Sequence, residues 1–226
     1  MTKRVLVLRP EPGASATVDE ARKRGLEAVA VPLFEITPVP WEIPEASGFD
    51  GLLLTSANAL RCAGDGVKAL RGLPVYAVGA STGEAAREAG FDIASTGDAG
   101  VDRLLGSIEP GLKLLHLAGE DRKAPADARQ EITAVTVYRA IARDRVDIRQ
   151  AQGCVVLVHS PRAGRRFAEL AETRRVDKQG IAVAAIGAET ADAVGRGWAA
   201  VESAEAPTDE ALLALAERLC NKSPGT

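Results

Sequence analysis

The chain has 226 residues, with 28 Lys and Arg against 31 Asp and Glu and a formal charge of −3. That length suits one large domain or two of about 110 residues, each able to bury a core. Near-balanced charge without long like-signed blocks, and only 4% aromatic residues, argue against a nucleic-acid partner.

Short Val-, Leu- and Ile-rich runs alternate with Ala-rich amphipathic stretches, the pattern of parallel strands joined by helices. Strands are predicted near residues 4–9, 28–37, 50–54, 74–78, 92–95, 112–117, 133–141, 153–158, 181–186 and 199–202, with helices in most gaps. The best-bounded helices are 81–89, ended by Gly90; 161–172, opened by Pro161; 189–196, ended by Gly197; and 207–220, opened by Pro207 and Thr208. Proline suits a first turn because its missing N–H is an orphan there anyway, and glycine tolerates a left-handed exit. The tail 221–226 is expected to fray. No run approaches the roughly 20 apolar residues of a membrane span, and Met1-Thr-Lys-Arg leads straight into a strand without an apolar signal region. A soluble, cytoplasmic protein with no membrane partner is expected.

The α/β pattern is written twice. Asp50-Gly-Leu-Leu-Leu-Thr-Ser-Ala-Asn-Ala returns as Cys154-Val-Val-Leu-Val-His-Ser-Pro-Arg-Ala, and Val75-Tyr-Ala-Val-Gly-Ala-Ser-Thr as Val183-Ala-Ala-Ile-Gly-Ala-Glu-Thr. Val5-Leu-Val-Leu-Arg-Pro-Glu and Ala28-Val-Ala-Val-Pro have counterparts in Leu114-Leu-His-Leu-Ala-Gly-Glu and Ala134-Val-Thr-Val-Tyr. Solenoid repeats are typically about 20–50 residues long, so a longer unit used twice signals a duplicated domain. The fold expected is α/β: two similar parallel-sheet domains with the site to look for between them, and with two paired connector strands as one candidate link. Two stretches fit these connectors, about 31–40, which carries three prolines, and about 134–142. One partition then joins 1–36 with 139–226 as a discontinuous domain and inserts 37–138 as the second; the other cuts near residue 110. Sequence pattern is compatible with both.

Four loops follow strands and open helices: Thr55-Ser56-Ala57-Asn58, Gly79-Ala80-Ser81-Thr82, His159-Ser160-Pro161-Arg162 and Gly187-Ala188-Glu189-Thr190. Ligands of open α/β sheets gather at the carboxyl ends of strands, where helix N-termini present free N–H groups. Small hydroxyl residues there cap the helix, bind an anion, or do both. Two matched pairs of such loops point to a polyanionic ligand. Gly119-Glu-Asp-Arg122-Lys123 is a further candidate anion-facing loop or an ordinary charged turn, and Arg9 a candidate carboxylate partner. Tyr138, on the second connector, has the phenol needed to donate a proton to a leaving oxygen, beside the commoner role of packing with a wet tip.

Cys62, Cys154 and Cys220 form no Cys-x-x-Cys pair, and His116 and His159 are the only histidines, so neither a disulfide framework nor a metal site is indicated. His159-Ser160 lacks a nucleophile elbow. Gly79 and Gly83 lack dinucleotide spacing and there is no Walker loop, so no nucleotide cofactor is expected.

Through Val5-Leu-Val-Leu-Arg-Pro, Phe49-Asp-Gly-Leu-Leu-Leu-Thr-Ser-Ala-Asn-Ala, Tyr76-Ala-Val-Gly, Leu117-Ala-Gly-Glu, Val135-Thr-Val-Tyr138-Arg, Ala185-Ile-Gly-Ala-Glu-Thr-Ala and Ala206-Pro-Thr-Asp-Glu-Ala-Leu, nearly the whole chain resembles the uroporphyrinogen-III synthase family. The resemblance implies two flavodoxin-like α/β domains joined by a two-stranded β-ladder with an active cleft between them, the discontinuous partition, and a cofactor-free, metal-free cyclisation of hydroxymethylbilane. The terminal hydroxyl leaves as water to give an azafulvene, and the far pyrrole attacks to form a spiro intermediate that recloses with that ring inverted. It implies that Tyr138 assists hydroxyl departure and that Ser56, Thr82, Ser160 and Thr190 meet substrate carboxylates. Arg9, Asn58, Gly79, Ser81, Gly119, Arg162 and Gly187 complete the expected substrate contacts. A monomer in transient contact with the preceding pathway enzyme is also implied. The chain departs from the family where Leu117-Ala-Gly-Glu-Asp-Arg replaces an Arg-Gly loop start. A short 123–132 stretch follows, with room for about two helical turns. The alternative function is a non-catalytic two-lobed protein that binds tetrapyrroles or small anions.

Overall fold

Runs that are apolar at nearly every position become interior strands, because a parallel strand is covered on both faces and has no solvent side to be polar on. In a computed structural model that describes residues 4–97, 100–122 and 124–221, β4 (Gly51–Leu54), β9 (Val155–Val158) and β10 (Ala182–Ala185) are buried at every residue. The remaining strands are β1 (Val5–Val7), β2 (Ala28–Ala30), β3 (Phe34–Pro38), β5 (Val75–Val78), β6 (Ile93–Gly97), β7 (Lys113–Gly119), β8 (Glu131–Ala142) and β11 (Ala200–Ser203). The helices are α1 (Gly13–Lys23), α2 (Ala57–Ala63), α3 (Ala80–Glu88), α4 (Val101–Ser107), α5 (Pro161–Thr173), α6 (Ala188–Val194) and α7 (Asp209–Asn221). Among the described residues no helix is long and apolar enough to cross a membrane.

The chain divides into two compact units, one of residues 1–35 with 142–226 and one of 36–141. The chain leaves one for the other within β3 and again within β8, which are neighbours in one sheet. The first unit has a five-stranded sheet in the order β11-β10-β9-β1-β2. The second continues from β3 as β8-β7-β4-β5-β6. Numbered by the repeat, both sheets read 2-1-3-4-5, the flavodoxin-like order. In each, strands 1 and 2 come from one copy of the repeat and strands 3, 4 and 5 from the other. β1 pairs in parallel with β9, Val5 opposite Val155, and β4 with β7, Leu52 opposite Leu115.

In the first unit Val5, Val7, Val155, Leu157, Ala182 and Ala184 pack against α1 and α7 through Ala14, Val18, Leu212 and Ala216. The alternate residues Leu6, Val156 and Val183 point to the other sheet face, where α5 and α6 lie. Gly164 lets those two helices close together, since a Cβ there would stand 2.9 Å from Val194 Cγ2. In the second unit Leu52, Leu54, Val75, Ala77, Leu115 and Leu117 meet Ala59, Leu60 and Ala86 of α2 and α3 on one face, while Leu53 and Leu114 meet Leu104 and Leu105 of α4 on the other. Each fully buried Val or Leu among these contributes roughly 1.5–3 kcal/mol, and the alanines less.

Four details differ from expectation. The 28–37 strand is two, parted where Pro32 cannot donate to a ladder. The helix expected to run to residue 196 stops at Val194, because Gly195 already takes the left-handed exit at φ 76°. Pro207 lies ahead of α7 rather than in its first turn; Thr208 caps the helix, its Oγ1 accepting from Ala211 N. The stretch 124–130 forms no helix: Gln130 donates to the carbonyls of Leu105, Ile108 and Glu109 at the end of α4, and Ala126 N donates to Asp102, so a hydrogen-bonded loop takes the helix's place. The tail beyond Asn221 lies outside the described residues.

Because each sheet needs strands from both copies, fragments 1–109 and 110–226 produced together are expected to co-purify as a one-to-one complex with the circular dichroism of the intact chain. Two folded fragments eluting separately would show instead that each copy closes on itself.

Candidate active site

The 36–141 unit holds a cavity of about 280 Å³ at the carboxyl ends of its strands, lined by Thr55, Val78, Val101, His116, Gly119, Asp121, Arg122 and Tyr138. Tyr138 owes its place to two neighbours. A Cβ at Gly119 would lie 2.8 Å from Tyr138 Cζ and 3.0 Å from its Oη, so the phenol covers the backbone where only glycine fits. Ser56, whose hydroxyl caps α2, lies close enough to the phenol to act on its titration. Burial pushes the Tyr138 phenol above its ordinary 10.0; the Ser56 hydroxyl opposes this, and the nearby Cys62 thiol and Asp121 carboxylate add to it. The group is thus a protonated donor throughout the neutral range.

His116 is 3% exposed, with Nε2 3.1 Å from Thr55 Oγ1. Burial, and then the Arg122 charge, lower its pKa to about 4, so the imidazole is neutral. Arg122 is anchored by NH1, which donates to Gly119 O at 3.2 Å and Thr136 Oγ1 at 3.0 Å.

In the other unit the corresponding strand ends gather Arg9, Thr17, His159 and Asp209. Arg9 NH1 bonds both Asp209 oxygens at 2.7 and 3.0 Å, and Thr17 Oγ1 donates to Oδ2 at 2.9 Å. Burial would raise the Asp209 pKa, but His159, Arg9 and Thr17 outweigh it and hold the carboxyl at about 2. His159 Nε2 stands 3.4 Å from Asp209 Oδ1 without hydrogen-bond alignment, and both ring nitrogens are buried with no bonded partner among the described residues. Burial, reinforced by Arg9, lowers its pKa despite Asp209.

The structure therefore brings Ser56, Gly119 and Tyr138 together. Asn58, Gly79, Ser81 and Thr82 stand at neighbouring helix starts of the same unit and do not line the cavity. Ser56 and Ser160 both cap, accepting from Asn58 N and Ala163 N, each at 3.2 Å. Thr82 and Thr190 take equivalent third positions of α3 and α6, and their side chains are buried, 4% and 3% exposed. Gly79 has φ 84°, whereas Gly187 is extended and needs no glycine. Arg162 lies over the Phe34 ring at 4.5 Å. Arg9 already has a carboxylate partner in the chain itself. In sequence, His116 figures only as a candidate metal ligand and Asp121 only as part of the charged 119–123 loop; strand pairing is what brings them to Thr55 and Tyr138.

The family description "Uroporphyrinogen-III synthase HemD" matches residues 15–214. The chain belongs to the uroporphyrinogen-III synthase family. No curated protein sequence matches it. Its fold is that of the uroporphyrinogen-III synthetase from Helicobacter pylori, with a TM-score of 0.61 at 17% identity over 96% of this chain and 99% of the other. A mutant uroporphyrinogen III synthase from the extremely thermophilic bacterium Thermus thermophilus gives 0.56 at 19% identity, over 97% of this chain and 100% of the other.

For a uroporphyrinogen-III synthase so built, Gly119→Ala must push the Tyr138 ring aside. It is expected to lower stability by about 1–3 kcal/mol in urea unfolding and to cut isomer III formation at least tenfold at unchanged secondary structure. His116 gives a pH signature. Its folded pKa lies below its ordinary 6.5, so the unfolded chain takes up the proton first. Its stabilisation is complete above pH 6.5 and is lost as pH falls toward 4, by about 3 kcal/mol in all. Urea unfolding of His116→Gln across this window should show a slope shallower by one proton, with His159 supplying part of the remainder.

Proposed function

We propose that this chain turns linear hydroxymethylbilane into uroporphyrinogen III, with Tyr138 delivering the proton on which the terminal hydroxyl leaves as water. The observation that carries this reading is the phenol itself: seated over Gly119, beside Ser56, facing a cavity and kept protonated by its surroundings. At about 280 Å³ that cavity is below the roughly 300–1,000 Å³ of pockets for drug-sized ligands, room for one substituted ring rather than the whole bilane.

The remaining work is positioning. The bilane carries eight carboxylates and closes unaided to isomer I, so the protein has to hold a shape that favours the spiro route with ring inversion. Helix starts at Ser56 to Asn58, Gly79 to Thr82, Ser160 to Arg162 and Gly187 to Thr190 supply N–H groups and partial positive charge for carboxylates. Ser160, which accepts from Ala163, keeps its own proton to donate. With the Thr82 and Thr190 hydroxyls buried, those positions serve through backbone and helix geometry. Arg9 enters only through Asp209, whose carboxylate it already holds. Family membership supports a monomeric cytoplasmic enzyme that receives its unstable substrate from the preceding enzyme.

Freshly generated hydroxymethylbilane, followed by oxidation and chromatography of the uroporphyrins, tests this directly. The intact chain should yield predominantly isomer III; isomer I at the protein-free rate would reject the activity. Tyr138→Phe should lower kcat about 100-fold while substrate still binds, and unchanged turnover would remove its chemical role.

A further inference from the structure

Among the described residues that line the Tyr138 cavity, Asp121 is the one carboxylate. It sits on the loop leaving β7, two residues beyond the glycine that the Tyr138 ring covers, and its charge reaches the phenol. Val78, Val101 and Gly119 give the same cavity apolar and open backbone surface suited to a flat ring. His116, being neutral, places no positive charge there. Arg122 does, but its NH1 is committed to Gly119 O and Thr136 Oγ1, which leaves it suited to a carboxylate arm at the cavity wall.

We propose that Asp121 stabilises the positive charge that develops on the terminal pyrrole as its hydroxyl departs. This rests on the reading of Tyr138 as the proton donor. The carbinol C–O bond breaks and its electron pair leaves with oxygen, which takes the Tyr138 proton and departs as water. A phenolate and a cation delocalised over the ring and its exocyclic carbon remain. Transfer of the pyrrole N–H proton to the phenolate gives the neutral azafulvene and restores Tyr138, so atoms and charge balance. A fixed carboxylate beside this cavity acts on charge present in the transition state and absent from the bound substrate, the condition for raising kcat rather than tightening binding. In the resting protein the same carboxylate opposes ionisation of the phenol and so keeps the donor loaded.

The test compares Asp121→Asn, Asp121→Glu and the neighbouring Glu120→Gln in the full chain. With fresh hydroxymethylbilane, Asp121→Asn should lower kcat for isomer III about tenfold or more, with KM changed less than about threefold; Asp121→Glu should retain most of the activity and Glu120→Gln nearly all. Ultraviolet difference titration, assigned against Tyr138→Phe because the chain has two tyrosines, should show the Tyr138 phenol ionising at lower pH in Asp121→Asn. Wild-type levels of isomer III from Asp121→Asn, or an equal loss in Glu120→Gln, would overturn the proposal while leaving the synthase reading intact. An intact chain that makes no isomer III would overturn both, and the titration would still report whether Asp121 and Tyr138 are coupled.

Discussion

The pairing of a first strand with a third strand from the other copy of the repeat underlies everything else in this protein. Val5 lies opposite Val155, and Leu52 opposite Leu115. Parallel neighbours cannot be joined by a tight hairpin, so each such pair needs a long connection. Loop-closure entropy grows only with the logarithm of length, which makes the distant partner affordable in stability though slow to find. The return is chemical. The carboxyl ends of strands 1 and 3 lie side by side at the centre of each sheet, so whatever gathers there draws on both copies. Thr55, Val78 and Val101 come from the first and His116, Gly119, Asp121, Arg122 and Tyr138 from the second. The other unit joins Arg9 and Thr17 to His159 and Asp209 in the same way.

This arrangement explains what was legible beforehand. Runs such as Leu52-Leu-Leu and Val155-Val-Leu-Val identify strands because burial on both faces removes the alternation of a half-exposed strand. The repeat revealed strand order within a copy, but a copy that closes on itself and one that exchanges strands have the same sequence. Helix ends failed where two glycines stood close together, as at Gly195 and Gly197, since either can adopt a positive φ. The 124–130 stretch failed for another reason: Gln130 finds three carbonyls at the end of α4, and no local propensity encodes that contact.

Site residues divide along the same line. Ser56 and Ser160 were readable because an N-cap is a local event, a hydroxyl meeting an N–H two or three residues on. Tyr138 was readable as a phenol on the second connector strand, but its seat over Gly119 depends on the pairing of β7 with β8. Arg9 shows the opposite failure. A strand-end arginine suggests an external anion, yet Asp209 at the start of α7 meets it first. An ion pair formed within one chain needs no second molecule, so a local argument about a cation's partner stays open until the distant carboxylates are placed.

The protonation states share one logic. Burial disfavours charge on any titratable group, lowering the two histidines and raising the Tyr138 phenol. Asp209 escapes because Arg9, Thr17 and His159 surround it. A substrate with eight carboxylates brings its own charge, and its cyclisation needs protons moved one at a time at a chosen carbon. In the Tyr138 cavity the phenol stays protonated and the His116 imidazole neutral, so neither adds a standing charge to those of Asp121 and Arg122. Among the described residues, burial thus leaves that cavity with one carboxylate and one guanidinium of opposite sign beside two uncharged groups able to exchange a proton.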